Sequence, residues 1–219
     1  IMQYSVLPPF IFGFLLTVFP RWLNLPALTK WHYLPIGLGL LGGQLVLLVG
    51  LFGYPHMVLI GLFQITAGWI AGLIILFNVY LNAKQTTWHA ISMLVALALG
   101  LIGILLVISY GWSGNAELMF AAIKLGTFAL LLPIYFTVCH RMLPFFASCV
   151  LKNYHVYRPM WSLALFWVMA LIHLGLEIAH LNAWLWLPDS VLIWLSIHLL
   201  WHWWPRESVP PLMRVLLLG

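Results

Sequence analysis

Long apolar stretches are the feature that most constrains how this chain can fold. Of its 219 residues, 64% are hydrophobic and only 6% are charged, and the mean hydropathy is +1.07. A helix needs about 20 predominantly apolar residues to cross the hydrocarbon core of a bilayer. A composition of this kind predicts an integral membrane protein without a soluble domain.

Seven stretches are long and apolar enough to be membrane-spanning helices. We therefore predict an all-α fold, a polytopic transmembrane helical bundle of about seven spans. No repeat or low-complexity tract divides the sequence, so we expect residues 1–219 to form a single transmembrane helical domain. The predicted spans are residues 1–18, 34–52, 57–81, 89–110, 117–138, 160–181 and 191–203.

The basic residues gather on one side of this predicted bundle. The loops after the first, third and fifth spans, with the segment after the seventh, carry every Lys and Arg except Lys124, which lies inside the fifth span. Positive residues favour the cytoplasmic side of a membrane, so we expect this side to be cytoplasmic. The isoelectric point is about 9.4, but the basic residues form no patch or stripe, which argues against nucleic-acid binding.

Both ends of the sequence read as interrupted. Ile1 is not a start residue, and residues 209–219 look like the proline-led entry into a further helix. We expect the chain to be a fragment, or the ordered part, of something longer.

Ionisable side chains interrupt the last two predicted spans. The sixth contains His173, Glu177 and His180, and the seventh contains His198 and His202. Ionisable groups at membrane depth are costly, which makes them functional candidates. Offsets of four and three residues keep the first three side chains on one stripe of their helix, and the last two are one turn apart.

Two of these imidazoles are expected to face each other across a haem. His173 and His198 each lie roughly 8–9 residues from the outer boundary, about 12–14 Å deep, and the short connection predicts antiparallel neighbours. Trp194 and Trp201 would form an aromatic wall beside His198 and His202 on the seventh span. We therefore predict haem ligation by the two histidines. Lys124 would hold a haem propionate or another anion, or else extend to the outer headgroups.

Other interpretations remain open from the residues alone. A copper site could use His198 and His202, completed by His180 or Glu177. The same groups could line a proton or ion path in a transporter. They could also be interhelical hydrogen-bonding residues of a cofactor-free subunit in a larger respiratory complex. The sequence has no phosphate-binding glycine loop or nucleophile elbow, so we set hydrolase and kinase chemistry aside.

Two segments resemble a known family. They read MQYSVLPPFIFGFLLTVFPRW at residues 2–22 and CHRMLPFF at residues 139–146, and both look like segments of the NnrS family. None of the residues that carry the match is an obvious metal ligand, so the ligand predictions rest on depth and spacing. The matching residues are Gly13, Phe14, Leu15, Leu16, Thr17, Pro20, Arg21, Trp22, Arg141, Pro144 and Phe145.

The resemblance covers about the first two-thirds of the chain and implies a function. Members of the family are longer polytopic proteins of the bacterial inner membrane, described as binding haem and copper. They are associated with denitrification and with defence against nitric oxide. The resemblance therefore implies a multi-pass inner-membrane protein with haem and copper as cofactors and nitric oxide as a ligand.

Overall fold

The computed structural model describes residues 2–85, 87–151 and 154–204, and this part of the chain is helical, with no strand. The chain divides into two compact units, Ile1–Leu131 and Leu132–Gly219, and each is described by itself. The predicted all-α fold is confirmed. The predicted organisation as a single domain stays a prediction.

The helices agree with a bundle of about seven spans. Six helical segments within the described residues are long and apolar enough to cross a membrane, and a shorter apolar helix precedes them. The chain is therefore a multi-pass membrane protein. A π-helical segment, Gly126–Leu131, lies between the fifth and sixth α-helices. The α-helices are α1 (Leu7–Trp22), α2 (Lys30–Leu51), α3 (Pro55–Leu81), α4 (Trp88–Ser113), α5 (Ala116–Leu125), α6 (Leu132–Val150), α7 (Met160–Ile178) and α8 (Trp186–Trp203).

The two largest differences between these helix boundaries and the predicted spans are the start of α1 and the end of α6. α1 begins at Leu7 rather than at residue 1, with Pro8 in its first turn, where the missing N–H group of proline is not needed. α6 continues to Val150, beyond the predicted end at residue 138, although Pro144 lies inside it. Proline is tolerated inside transmembrane helices when neighbouring groups satisfy the freed backbone atoms.

α2 and α3 pack with their backbones in direct contact. Only residues 52–54 separate the two helices. A Cβ atom added to Gly39 would overlap the Cα atom of Gly68, and one added to Gly43 would lie 2.7 Å from the backbone nitrogen of Ile65. Small residues let transmembrane helices approach closely enough for backbone van der Waals contact. The glycines are therefore what allows this helix pair to form.

Trp69 lies at the centre of the first unit. Its side chain is fully buried, and its indole N–H donates to the carbonyl oxygen of Leu97 at 2.9 Å. Phe12 meets the indole edge-on, with ring centroids 5.5 Å apart. Gly100 leaves the space that the indole fills, since a Cβ there would lie 2.6 Å from the ring. α1, α3 and α4 therefore converge on one aromatic side chain whose polar atom is satisfied.

The residues that precede α1 pack against the π-helical segment. The Tyr4 hydroxyl donates to the carbonyl oxygen of Ala122 at 2.6 Å, and the Gln3 amide donates to the Thr127 hydroxyl at 2.7 Å. Gly126 leaves room for this contact, since a Cβ there would lie 2.7 Å from the Tyr4 hydroxyl. A π-helical turn is wider than an α-helical turn, so this segment departs from the regular hydrogen-bond ladder of an α-helix. These side-chain hydrogen bonds stabilise the segment from outside the helix.

Gly39→Ala should destabilise the protein, because the new methyl group would overlap the backbone of Gly68, which cannot move without separating α2 from α3. We expect a loss of about 1–3 kcal/mol in the free energy of unfolding, measured as a lower melting temperature of the detergent-solubilised protein.

Gly37→Ala is the matched control on the same helix, because nothing lies within 4 Å of the atom it adds. Alanine favours the helix over glycine, so this variant should be as stable as the wild type or more stable, by up to about 1 kcal/mol. Equal losses in the two variants would contradict the backbone contact.

Candidate functional site

α7 and α8, which carry most of the predicted site residues, pack against each other in the second unit. Phe166 and Ala170 of α7 are buried together with Leu195 and Leu199 of α8. Phe136 of α6 stacks on Phe166, with ring centroids 4.0 Å apart. This apolar core fixes the register of the pair, and it leaves polar side chains at the two ends.

The start of α8 and the end of α7 together determine how deep His198 and His173 lie in the membrane. α8 begins at Trp186, five residues earlier than predicted, because Pro188 is tolerated in a first turn and the carboxylate of Asp189 is favoured there. α7 ends three residues earlier than predicted. As a result, His173 lies five residues from the end of α7, whereas His198 lies twelve residues from the start of α8.

His173 lies at one end of the α7–α8 pair, close to residues 179–185, which connect the two helices. We call this end the connection end. Its Nδ1 atom is 2.7 Å from Oδ1 of Asp189, and its Nε2 atom is 3.8 Å from Oε2 of Glu177. His173 is only 7% exposed and Glu177 is also buried. An ionised carboxylate can only accept a hydrogen bond, so the imidazole donates from Nδ1 and turns Nε2 toward Glu177.

An aromatic–imidazole cluster, defined as Tyr157, Trp161, Trp194, His198 and His202, lies at the far end of the pair. The Tyr157 hydroxyl lies 3.2 Å from Nε2 of His198, and the Tyr157 ring stacks on His202 with centroids 4.2 Å apart. Trp194 stacks on His198 at 5.3 Å, and the centroid of Trp161 lies 5.6 Å from that of His198. Two imidazoles and three larger aromatic rings therefore share one site.

The loop before α7 is tied to the end of α8. The Trp203 indole N–H donates to the carbonyl oxygen of Tyr157 at 3.0 Å, and the Tyr154 hydroxyl donates to the carbonyl oxygen of Trp203 at 3.2 Å. Burial raises the pKa of Tyr154 above its ordinary value, so this hydroxyl stays a neutral donor. The two bonds hold Tyr157 beside the imidazoles.

His173 and His198 do not face each other, and the prediction that they lie at one depth is wrong. His173 contacts Asp189, and His198 lies nine residues further along α8, which is about 14 Å of helix. With metal–nitrogen bonds of about 2 Å, the two axial nitrogens of one iron must lie about 4 Å apart. One haem cannot bind both, although each remains a predicted ligand by itself.

Trp201 and His180 are exposed residues near opposite ends of the α7–α8 pair. Trp201 is 72% exposed and lines an apolar groove with Leu200 and Trp204. His180 is exposed and lies two residues after the end of α7, with a left-handed φ of 56°, and its backbone N–H donates to the carbonyl oxygen of Glu177 at 3.0 Å. Histidine adopts this conformation more readily than branched residues do. The predicted roles of Trp201 and His180 at a cofactor stay predictions.

Lys124 belongs to the first unit. It lies in the last turn of α5 and is half-buried. Its Nζ atom lies 5.4 Å from the centroid of the Phe120 ring, a distance at which a cation is attracted to an aromatic face. The predicted contact of Lys124 with a haem propionate stays a prediction.

His140, which the sequence places beside Cys139 as a weak copper candidate, is a polar residue whose burial the sequence prediction missed. It is fully buried, and its Nε2 atom lies 2.9 Å from the Ser162 hydroxyl oxygen and 3.2 Å from the carbonyl oxygen of Pro159. The predicted end of the fifth span at residue 138 placed it at the membrane surface. The apolar run at residues 142–146, which continues the helix, is the signal that could have revealed its burial.

The predicted metal set is divided between the two ends of the α7–α8 pair. His173 and Glu177 lie at the connection end, and His198 and His202 lie at the far end. Among residues 2–85, 87–151 and 154–204, no three His, Cys, Asp or Glu side chains come together in a way that could hold a metal ion. Within these described residues, these four predicted metal ligands therefore lie two at each end of the α7–α8 pair.

A comparison with known protein families matches residues 1–219 to the NnrS protein family. The chain belongs to the NnrS family. The match covers the whole chain, including the segments that follow the second resembling motif. Membership of the NnrS family supports a membrane protein related to nitric oxide. No curated protein and no solved structure matches this NnrS chain.

Asp189→Ala should destabilise the α7–α8 pair, because the buried His173 imidazole would lose the carboxylate that accepts its hydrogen bond. The Asp189 side chain is 45% exposed, so solvent screens part of this interaction. We expect a cost of about 1–2 kcal/mol in the free energy of unfolding, measured as a lower melting temperature.

The control is Ser190→Ala at the neighbouring position. The exposed Ser190 hydroxyl donates only within its own helix, to the carbonyl oxygen of Leu187, so its loss should change stability by less than about 0.5 kcal/mol. If the two variants melt together, the His173–Asp189 contact does not stabilise the pair.

Proposed function

We propose that this chain binds haem at the aromatic–imidazole cluster, in the inner membrane of a bacterium, and that it acts in the response to nitric oxide or in denitrification. The observation that supports this best is the pair His198 and His202, which lies among three larger aromatic rings. Haem binding requires an imidazole that offers a lone pair and an apolar surface for a flat macrocycle. The cluster offers both.

His202 is the imidazole best suited to be an axial ligand. Its Nδ1 atom lies 2.8 Å from the carbonyl oxygen of His198. Because a carbonyl only accepts hydrogen bonds, Nδ1 carries the hydrogen and Nε2 carries the lone pair. Metal-binding histidines are commonly oriented by such a bond to a backbone carbonyl. The stacked ring of Tyr157 restrains the imidazole further.

His198 would support this ligand rather than bind the same iron. The two histidines are one turn apart on one helix and so lie on the same side of any macrocycle. The Nε2 atom of His198 contacts the Tyr157 hydroxyl, which holds Tyr157 over His202. Trp161 and Trp194 are exposed and present apolar ring faces against which a porphyrin could pack.

A haem held by His202 would supply an iron that can bind a small gas such as nitric oxide. The residues of this chain would orient the ligand and exclude water. Tyr157 stacks on His202, and Trp161 and Trp194 pack against His198, so ring carbon covers part of both imidazoles. The apolar surroundings of a metal site control the access of solvent.

The second cofactor that we propose is copper, at His173 and Glu177. The carboxylate of Asp189 orients the imidazole through Nδ1, as is usual for metal-binding histidines. Nε2 of His173 and Oε2 of Glu177 are 3.8 Å apart, so bonds of about 2.0–2.2 Å would let both atoms bind one ion. Imidazole suits copper, and the remaining ligands would come from outside this pair.

The haem proposal predicts a spectroscopic change in one variant. Wild-type protein purified from haem-replete cells should show a Soret band and a pyridine haemochrome. His202→Ala should lose most of this haem, because the axial bond is removed. Nitric oxide added to the reduced wild type should shift the Soret band.

His56→Ala is the control, because it removes an exposed imidazole at the start of α3 and should keep the wild-type haem content. A wild-type protein without haem would end the proposal and favour a proton or ion path, or a cofactor-free structural subunit. Equal haem loss in the two variants would reject His202 as the ligand.

The copper proposal predicts a graded loss of metal. His173→Ala should abolish copper binding, because it removes a ligand, while Asp189→Asn should weaken it about 10–100-fold, as expected for a residue that orients a ligand. Copper content after dialysis and metal titration of the purified protein would measure both effects. Wild-type affinity in His173→Ala would reject the site, with His56→Ala again as the control.

A further inference from the structure

A cavity of about 250 Å³ lies in the first unit, where the loop after α1 and the start of α2 meet the end of α3. A site for a drug-sized ligand occupies about 300–1,000 Å³, so this cavity suits a single substituted ring rather than a larger cofactor. Its lining residues are Leu25, Pro26, Leu28, His32, Ile75, Asn78, Val79 and Asn82.

The lining combines an apolar surface with three polar side chains, those of His32, Asn78 and Asn82. Asn78 and Asn82 are exposed and His32 is half-buried, so the cavity can be reached from outside the protein. Among the lining residues that the structure describes, none carries a carboxylate, an ammonium or a guanidinium group. Such groups are the strong partners of charged ligands, and their absence from this lining favours a ligand with carbonyl or hydroxyl oxygens.

The loop that forms one wall of the cavity is held by its own backbone. Asn24 has a left-handed φ of 54°, which asparagine adopts more readily than most residues do. The N–H of Leu25 donates to the carbonyl oxygen of Pro20 at 2.9 Å, and the ring of Pro26 fixes the next φ angle. This wall is therefore in place before a ligand arrives.

The other wall is one face of α3, and it runs from the membrane surface inward. Ile75, Asn78 and Asn82 are three and four residues apart, so they lie along one stripe. α3 has 27 residues, about 40 Å of helix, and exceeds the roughly 30 Å hydrocarbon core. Asn82 follows its last residue and lies at headgroup level, whereas Ile75 lies about 10 Å further in. The cavity therefore has a polar end at the surface and an apolar end in the hydrocarbon.

His32 can act toward a ligand as a donor or as an acceptor. Its Nδ1 atom lies 2.9 Å from the Thr29 hydroxyl oxygen, which leaves Nε2 for a ligand. When the hydroxyl donates to Nδ1, Nε2 carries the hydrogen and can donate to a carbonyl. When Nδ1 donates to the hydroxyl, Nε2 carries the lone pair and can accept from a ligand hydroxyl. The Thr29–His32 pair therefore suits a ligand that exists in a carbonyl form and a hydroxyl form.

We propose that this cavity binds the ring of a membrane quinone or of its quinol. A quinone has a flat ring with two carbonyl oxygens, which are hydroxyl groups in the quinol, and an apolar tail that dissolves in the hydrocarbon. The ring would pack on the apolar lining, and its oxygens would reach His32 and the two amides. The site lies in the first unit, apart from the residues of the proposed haem and copper sites, and does not depend on the proposed function.

The test titrates the full chain in detergent with decylubiquinone and measures the melting temperature, which a bound ligand raises. Decylbenzene, which has the same tail on a ring without oxygen, should give a smaller rise. His32→Leu and Asn78→Leu should each weaken the apparent affinity for decylubiquinone about 3–10-fold, as expected for one lost hydrogen bond. Ile75→Trp should abolish the response, because the larger side chain would fill the cavity.

The matched controls are His56→Leu and Gln85→Leu, which remove an exposed imidazole and an exposed amide that do not line the cavity and should keep the wild-type affinity. Equal losses in the controls would overturn the site, and so would a wild type that does not respond to decylubiquinone. An equal rise with decylbenzene would show an apolar groove without recognition of the ring oxygens. Loss of the decylubiquinone response on adding phosphatidylglycerol would identify a phospholipid site instead and reject the quinone.

Discussion

Hydrocarbon forms no hydrogen bonds, and this constraint decides where the polar side chains of the chain lie. The Trp69 indole bonds to a carbonyl of α4, His140 bonds to Ser162, and His173 bonds to Asp189. A polar group left unsatisfied in such surroundings costs several kcal/mol. Each of these bonds therefore also fixes the register of the helices or loops that it joins. The packing of α7 against α6 and α8 depends on the His140–Ser162 and His173–Asp189 bonds together with the apolar core.

The number and type of helices could be predicted because apolar length is a property of the sequence alone. α3, for example, ends at Leu81, as predicted. Helix starts were less predictable, because they depend on local features that hydropathy averages over. Pro188 falls in the first turn of α8 rather than in a loop. α8 starts earlier than predicted and α7 also ends earlier than predicted. Because of both differences, His198 lies about two helical turns away from the level of His173, where the prediction placed it.

The grouping of the predicted site residues could be predicted only in part. His198, His202 and Trp194 lie together on α8, whereas Trp201, which was predicted beside them, lines a separate apolar groove. Tyr157 and Trp161, which complete the cluster, come from the segment before α7 and its first turn. Contacts of this kind, about 40 residues apart in sequence, depend on helix register and on how a loop is folded. Neither can be read from local spacing.

The close approach of α2 and α3 has a consequence for how the protein is made. Three residues join the two helices, and their glycine faces fit each other without contributions from later segments. Such a hairpin can associate as soon as both helices have entered the bilayer, while the rest of the chain is still being synthesised. The pair would then be a preassembled template during insertion, onto which α1 and α4 dock their aromatic and apolar side chains.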